Sequence, residues 1–85
     1  MYKIEVSSKK VDKKLRNYIS MRNDIVEKLE RLKIDPRRAN GAHSLHGKLS
    51  GKWACWLGYN IRIIYIVNDL NKIISVDSVG THKIY

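Results

Sequence analysis

The sequence predicts an α+β fold, in which an N-terminal strand and an antiparallel helical hairpin pack on a mostly antiparallel sheet of four to five strands. Three observations predict it. Tyr2 to Val6 alternates, with Tyr2, Ile4 and Val6 on one face and Lys3 and Glu5 on the other, the period of a half-buried strand. From Val11 to Leu32 the apolar residues recur at helical spacing. From His43 onward, β-branched and aromatic runs are separated by Gly and Asn turns. The order β-α-α-β-β-β-β places two consecutive helices against one face of the sheet. At 85 residues the chain is read as one domain, 1–85, without internal repeats. A fold of this size buries roughly 60% of its unfolded surface, so its core has to be compact.

After the first strand, Ser7 and Ser8 offer a helix cap. Val11, Leu15, Tyr18 and Ile19 then form an apolar stripe, while Lys9, Lys10, Lys13, Lys14 and Arg16 occupy much of the remaining surface. A break is expected at Ser20 to Arg22. Asp24 with Glu27 resembles a capping pair for a second helix, whose stripe is Ile25, Val26, Leu29 and Leu32. So short a connection makes the two helices a hairpin. Pro36 ends the second helix, and Asp35 to Ala42 reads as a loop. Beyond it, His43 to Leu49 reads as a short edge strand, Lys52 to Leu57 as a strand between Gly51 and Gly58, and Ile61 to Val67 as a central strand. Lys72 to Val79 follows after a turn at Asn68 to Asn71.

Seventeen Lys and Arg against eight Asp and Glu give a formal charge of +9, a field that attracts phosphate backbones and releases their counterions. A polyanionic partner is expected. Membrane binding is not: the longest apolar run, Ile63 to Val67, is far short of a span, and the helical stripes are narrow enough to be core faces. The N-terminus runs straight into a strand, so no targeting segment is expected. Cys55 has no cysteine to pair with, which fits a reducing compartment, and cytoplasm is the expected location. No cofactor is expected either. His43, His46 and His82 lack zinc-site spacings, and no glycine-rich phosphate loop precedes a helix.

The candidates for chemistry are His43, His46, Arg62, His82 and Tyr85, with lysines around them. Arg62 lies in Ile61-Arg62-Ile63-Ile64-Tyr65, so strand alternation gives it a face shared with Ile64 and Ile66. A guanidinium there is either snorkelling to water or offering a planar fork to a phosphate. A histidine unperturbed at about pH 6.5 can serve as base or acid. Metal-free RNA cleavage needs such parts: a base for the 2′-OH, a cation for the phosphorane-like transition state and an acid for the departing 5′-oxygen. Trp53 and Trp56 fall on opposite strand faces, one of them core and the other placed to stack on a base, to meet a protein partner or, like the first, simply to pack.

Leu45-His46-Gly47-Lys48-Leu49-Ser50-Gly51-Lys52-Trp53, Tyr59-Asn60-Ile61-Arg62-Ile63-Ile64-Tyr65 and Val79-Gly80-Thr81-His82-Lys83-Ile84-Tyr85 together resemble the RelE/YoeB/YafQ toxins of the RelE/ParE superfamily, over essentially the whole chain. The resemblance implies a type II toxin that cleaves mRNA in the ribosomal A site and is silenced by a cognate antitoxin. It implies His43 as general base, at a site that is Glu in YoeB-like and His in YafQ-like toxins. It implies Arg62 as the contact to the scissile phosphate, and His82 and Tyr85 as acid, phosphate contact or stacking group. Lys9, Lys10, Lys13, Lys14, His46, Lys48, Lys52 and Lys83 are the expected RNA contacts. The sequence also departs from the family. The strand that carries two catalytic lysines in RelE corresponds here to Trp53-Ala54-Cys55. The YafQ-like histidine of that strand is Trp56, and its acidic follower is Asn60. The implied mechanism is thus closest to a YoeB/YafQ hybrid. The alternatives are a ParE-like gyrase inhibitor, whose relatives tend to lack the His43, Arg62, His82, Tyr85 set, and a non-catalytic RNA-binding homologue.

Overall fold

The structure, a computed structural model, describes residues 1–58 and 60–81. Strand β1 (Lys3–Val6) leads into helices α1 (Lys9–Met21) and α2 (Asp24–Ile34), followed by β2 (His43–Ser44), β3 (Trp53–Trp56), β4 (Arg62–Asn68) and β5 (Ile73–Gly80). The five strands form one sheet in the order β1-β5-β4-β3-β2. The β2–β3, β3–β4 and β4–β5 pairs are antiparallel, whereas β1 lies parallel to β5. Strand β1 is an edge whose ends are tied by Tyr2 N to Lys33 O (2.9 Å) and Ser7 N to Val76 O (2.9 Å).

Ser8 caps α1 as its sequence suggests, its hydroxyl accepting from Val11 N at 3.2 Å. Other local expectations shift. Helix α1 runs on through Ser20 to Met21, because Tyr18 and Ile19 still pack on the core, and the connection shrinks to Arg22 and Asn23. Asp24 is the first helical residue and not a cap; its carboxylate is held by Arg22 in two hydrogen bonds of 3.2 Å, which lower its pKa. The segment expected to be a strand from His43 to Leu49 is one for only two residues. A 3-10 turn at Gly47–Leu49 then folds Leu49 onto Leu45. The 35–42 loop contains another 3-10 turn, Ala39–Gly41.

Alternation along the strands separates two layers. Cys55, Ile63, Tyr65, Ile74, Val76 and Val79 face the helices, where Leu15, Ile25 and Leu32 complete a contiguous core. Ala54, Ile64 and Leu45 face the other way, in a small second cluster. An extra residue in β5 interrupts the β4–β5 ladder: Ile64 pairs with Ser78 and Tyr65 with Val76, so Asp77 is bulged out.

Candidate active site

The described candidate residues His43 and Arg62 lie on the helix-free face of the sheet. Directly opposed residues of an antiparallel pair point to the same face. One row therefore reads His43, Ala54, Ile64, Ser78, and the next reads Trp56, Arg62, Gly80. Arg62 shares its face with Ile64 and with the exposed Ile66, as alternation requires. His43 and Arg62 stand two strands and two residues apart, roughly 12 Å between Cα atoms from standard strand spacings.

His43 is exposed on the edge strand, and its Nδ1 lies 3.2 Å from Gly41 O. A carbonyl oxygen only accepts, so Nδ1 carries the proton of that bond. The neutral ring then has its lone pair on Nε2, pointing away from the backbone. In that form Nε2 is the ring nitrogen able to accept a proton. Arg62 is half-buried at the start of β4, with its guanidinium carbon 3.9 Å from the centroid of the Trp56 ring. Stacking on an aromatic face fixes the plane of the fork without neutralising its charge.

Lys52 is held on the same side of the sheet, its ammonium 2.6 Å from the carboxylate of the bulged Asp77. The bulge sets the Asp77 carboxylate out of the ladder, within reach of the Lys52 ammonium. His46, just before the Gly47–Leu49 turn, and Lys48, within it, are exposed. Lys9, Lys10, Lys13 and Lys14 are exposed on α1, in the layer across the sheet from His43 and Arg62, so the structure does not gather them into the same patch. The expectations for His82, Lys83 and Tyr85 lie outside the described residues. Gly80, two positions before His82, is the residue that β5 places opposite Arg62.

Strand alternation separates Trp53 from Trp56 without deciding which of them packs, stacks or meets a partner, and it does not reach the contacts made by Gly41 and Asp77. Trp53 is the tryptophan that packs on the core. Gly41 adopts φ +69° in the turn after Asn40 (φ 57°), and the one legible signal was the Asn-Gly pair itself. Asp77 was legible only as an acid inside a strand. Cys55, buried beneath this face, has its thiol pushed up to about 12 by burial and offers no nucleophile. Among the described residues, no group of three or more His, Cys, Asp or Glu is placed to share a metal ion, and no helix is long and apolar enough to cross a membrane.

No protein-family model and no curated relative matches the chain. Solved structures do. A YoeB/ParE toxin from Agrobacterium tumefaciens superposes with a TM-score of 0.75 at 18% identity, covering 94% of this chain and 98% of that one. The YoeB-YefM complex from Staphylococcus aureus gives 0.72 at 17% identity, over 96% and 98% of the two chains. YafQ from E. coli gives 0.66 at 21%, over 96% and 94%. This chain therefore has the fold of the RelE/ParE-type toxins.

Proposed function

We propose that the protein is the toxin of a type II toxin-antitoxin system and a metal-free endoribonuclease acting on mRNA at the ribosome, in the cytoplasm. The observation that carries this reading is the joint presence, on the helix-free face, of a histidine held in the base-competent tautomer by Gly41 and an arginine stacked on Trp56. Similarity to YoeB and YafQ in fold supports the class, and the +9 charge supports a polyanionic substrate.

In this mechanism His43 Nε2 takes the proton of a 2′-OH. The 2′-oxygen then attacks the adjacent phosphorus. Arg62 binds the non-bridging oxygens, whose charge grows as the phosphorane-like state forms, and is most effective there because its fork is already oriented. The P–O5′ bond breaks, and the departing oxygen takes a proton from His82 or Tyr85, the sequence candidates for the acid. The products are a 2′,3′-cyclic phosphate and a 5′-OH. Lys52, Lys48 and His46 would line the path of the flanking backbone, and a cognate antitoxin would silence the toxin.

The test is induction of the protein alone, with cleavage sites mapped on ribosome-bound messages and end chemistry determined on purified ribosomes with and without EDTA. Growth arrest, cyclic-phosphate ends and unchanged cleavage in EDTA are expected. Gyrase-dependent DNA breaks with intact mRNA would overturn the reading in favour of a ParE-like inhibitor. Cleavage lost in EDTA, and restored by a divalent ion with ribosomes kept intact, would overturn the metal-free mechanism.

A further inference from the structure

Trp56 has no part in the cleavage steps above, yet it touches what those steps depend on. On one side the Arg62 guanidinium carbon lies 3.9 Å from its ring centroid. Elsewhere the ring abuts Gly41, closely enough that a Cβ on Gly41 would come within 3.3 Å of Trp56 Cδ1 and 3.9 Å of Nε1. The carbonyl of this same Gly41 accepts from His43 Nδ1 at 3.2 Å. Base and cation thus share one reference point, His43 directly and Arg62 through the indole.

That reference point is itself held. Asn40 Nδ2 donates to Lys28 O at 2.7 Å, and the Tyr65 hydroxyl donates to Pro36 O at 2.6 Å, from the strand that carries Arg62. The turn is therefore anchored to α2 and β4 together. An arginine side chain is flexible, and a charge displaced by about 1 Å from the reacting phosphate loses much of its effect.

We propose that Trp56 is a positioning residue: by bearing on the Gly41 turn and stacking with Arg62, it holds the guanidinium in register with His43. The proposal rests on the endoribonuclease reading. A non-aromatic residue at this position leaves the charge in place but removes the stacking that orients its fork, so the rate at saturation suffers more than binding does.

The test compares wild type with Trp56→Phe, Trp56→Leu and Trp56→Gln, each confirmed folded by circular dichroism. Two readouts are taken: the Arg62 Hε proton resonance and single-turnover cleavage on ribosome-bound message. In the wild type the Hε resonance is expected upfield, shifted by the ring current of Trp56. The shift should persist in Trp56→Phe and vanish in the other two. Saturated cleavage should fall about 10- to 100-fold in Trp56→Leu and Trp56→Gln with half-saturation nearly unchanged, while Trp56→Phe stays within about threefold of wild type. An Hε resonance that does not move in Trp56→Leu or Trp56→Gln overturns the proposal. So does wild-type cleavage in both, a loss confined to half-saturation, or a loss equal in Trp56→Phe. A wild type that cleaves no RNA overturns the endoribonuclease reading itself, which separates the two failures.

Discussion

On the helix-covered face of the sheet, Ile63, Tyr65, Ile74 and Val76 are wholly buried against Leu15, Ile25 and Leu32. On the open face, Arg62, Trp56, Ser78 and the Lys52–Asp77 pair lie around a small buried patch of Leu45, Ala54 and Ile64, with Leu49 packed against it. The difference teaches that one alternating pattern divides two tasks at the level of single residues. Position 63 holds the fold together and position 62 carries a charge, though they are neighbours in the chain. Apolar burial on one side supplies stability. It leaves the other side free to hold cations that a core would reject.

The strongest way to break this comparison is to substitute one residue from each face. Arg62→Ala is expected to lower the saturated cleavage rate by ~10²–10³, and His43→Ala by ~10²–10⁴, with thermal midpoints close to wild type. Leu32→Ala should do the reverse. It removes a wholly buried side chain, costs about 2–5 kcal/mol of stability by denaturant titration, and leaves the rate of the folded fraction unchanged. A large stability loss in Arg62→Ala, or a slow but stable Leu32→Ala, would show that the two faces are not separable.

A smaller effect is expected where the faces are joined. Tyr65 packs on the covered side, but its hydroxyl reaches Pro36 O and so steadies the 35–42 loop, which contains Gly41. Tyr65→Phe leaves that carbonyl, on a buried residue, without its donor and should cost about 1–3 kcal/mol. Activity should fall with it, since the Gly41 turn supports His43. Chemical denaturation and single-turnover kinetics on the same samples check both effects. A stability loss with full activity would uncouple the loop from the site.

The smallest effect lies at the far end of β4, away from Arg62. Asp69 accepts the Tyr2 hydroxyl at 2.6 Å and the Arg37 fork at 2.9 and 2.8 Å, which ties β1, the 35–42 loop and the β4–β5 turn. The Arg37 guanidinium, with the Tyr2 hydroxyl, draws its pKa from 3.8 down to about 2. Because the folded value is the lower one, the contribution is present above about pH 4 and is lost as pH falls toward 2. The group is exposed, so the loss should be modest and weaker in high salt. Melting curves between pH 5 and 2 should show a shallower acid slope in Asp69→Asn than in wild type; equal slopes would remove Asp69 from the account.

Much of this was written locally. Hydrophobic period identifies each helix and strand, because side-chain direction repeats every two residues in a strand and about every 3.6 in a helix. The placement of Arg62 with Ile64, away from Ile63, follows from alternation alone; the Ser8 cap follows from a serine just before the helix, and the basic surface of α1 from lysines at the helical positions its apolar stripe leaves. Tertiary structure decided the rest. The extent of α1 past Ser20 and the shrinking of the 43–49 strand to two residues depended on what each segment could pack against. The parallel seat of β1 beside β5 depended on pairing between residues some seventy positions apart. The Asp77 bulge, the reach of its carboxylate to Lys52 and the meeting of Gly41 with Trp56 depend on strand register and on a left-handed turn. These are contacts between separate segments, and no local period encodes which segments will meet.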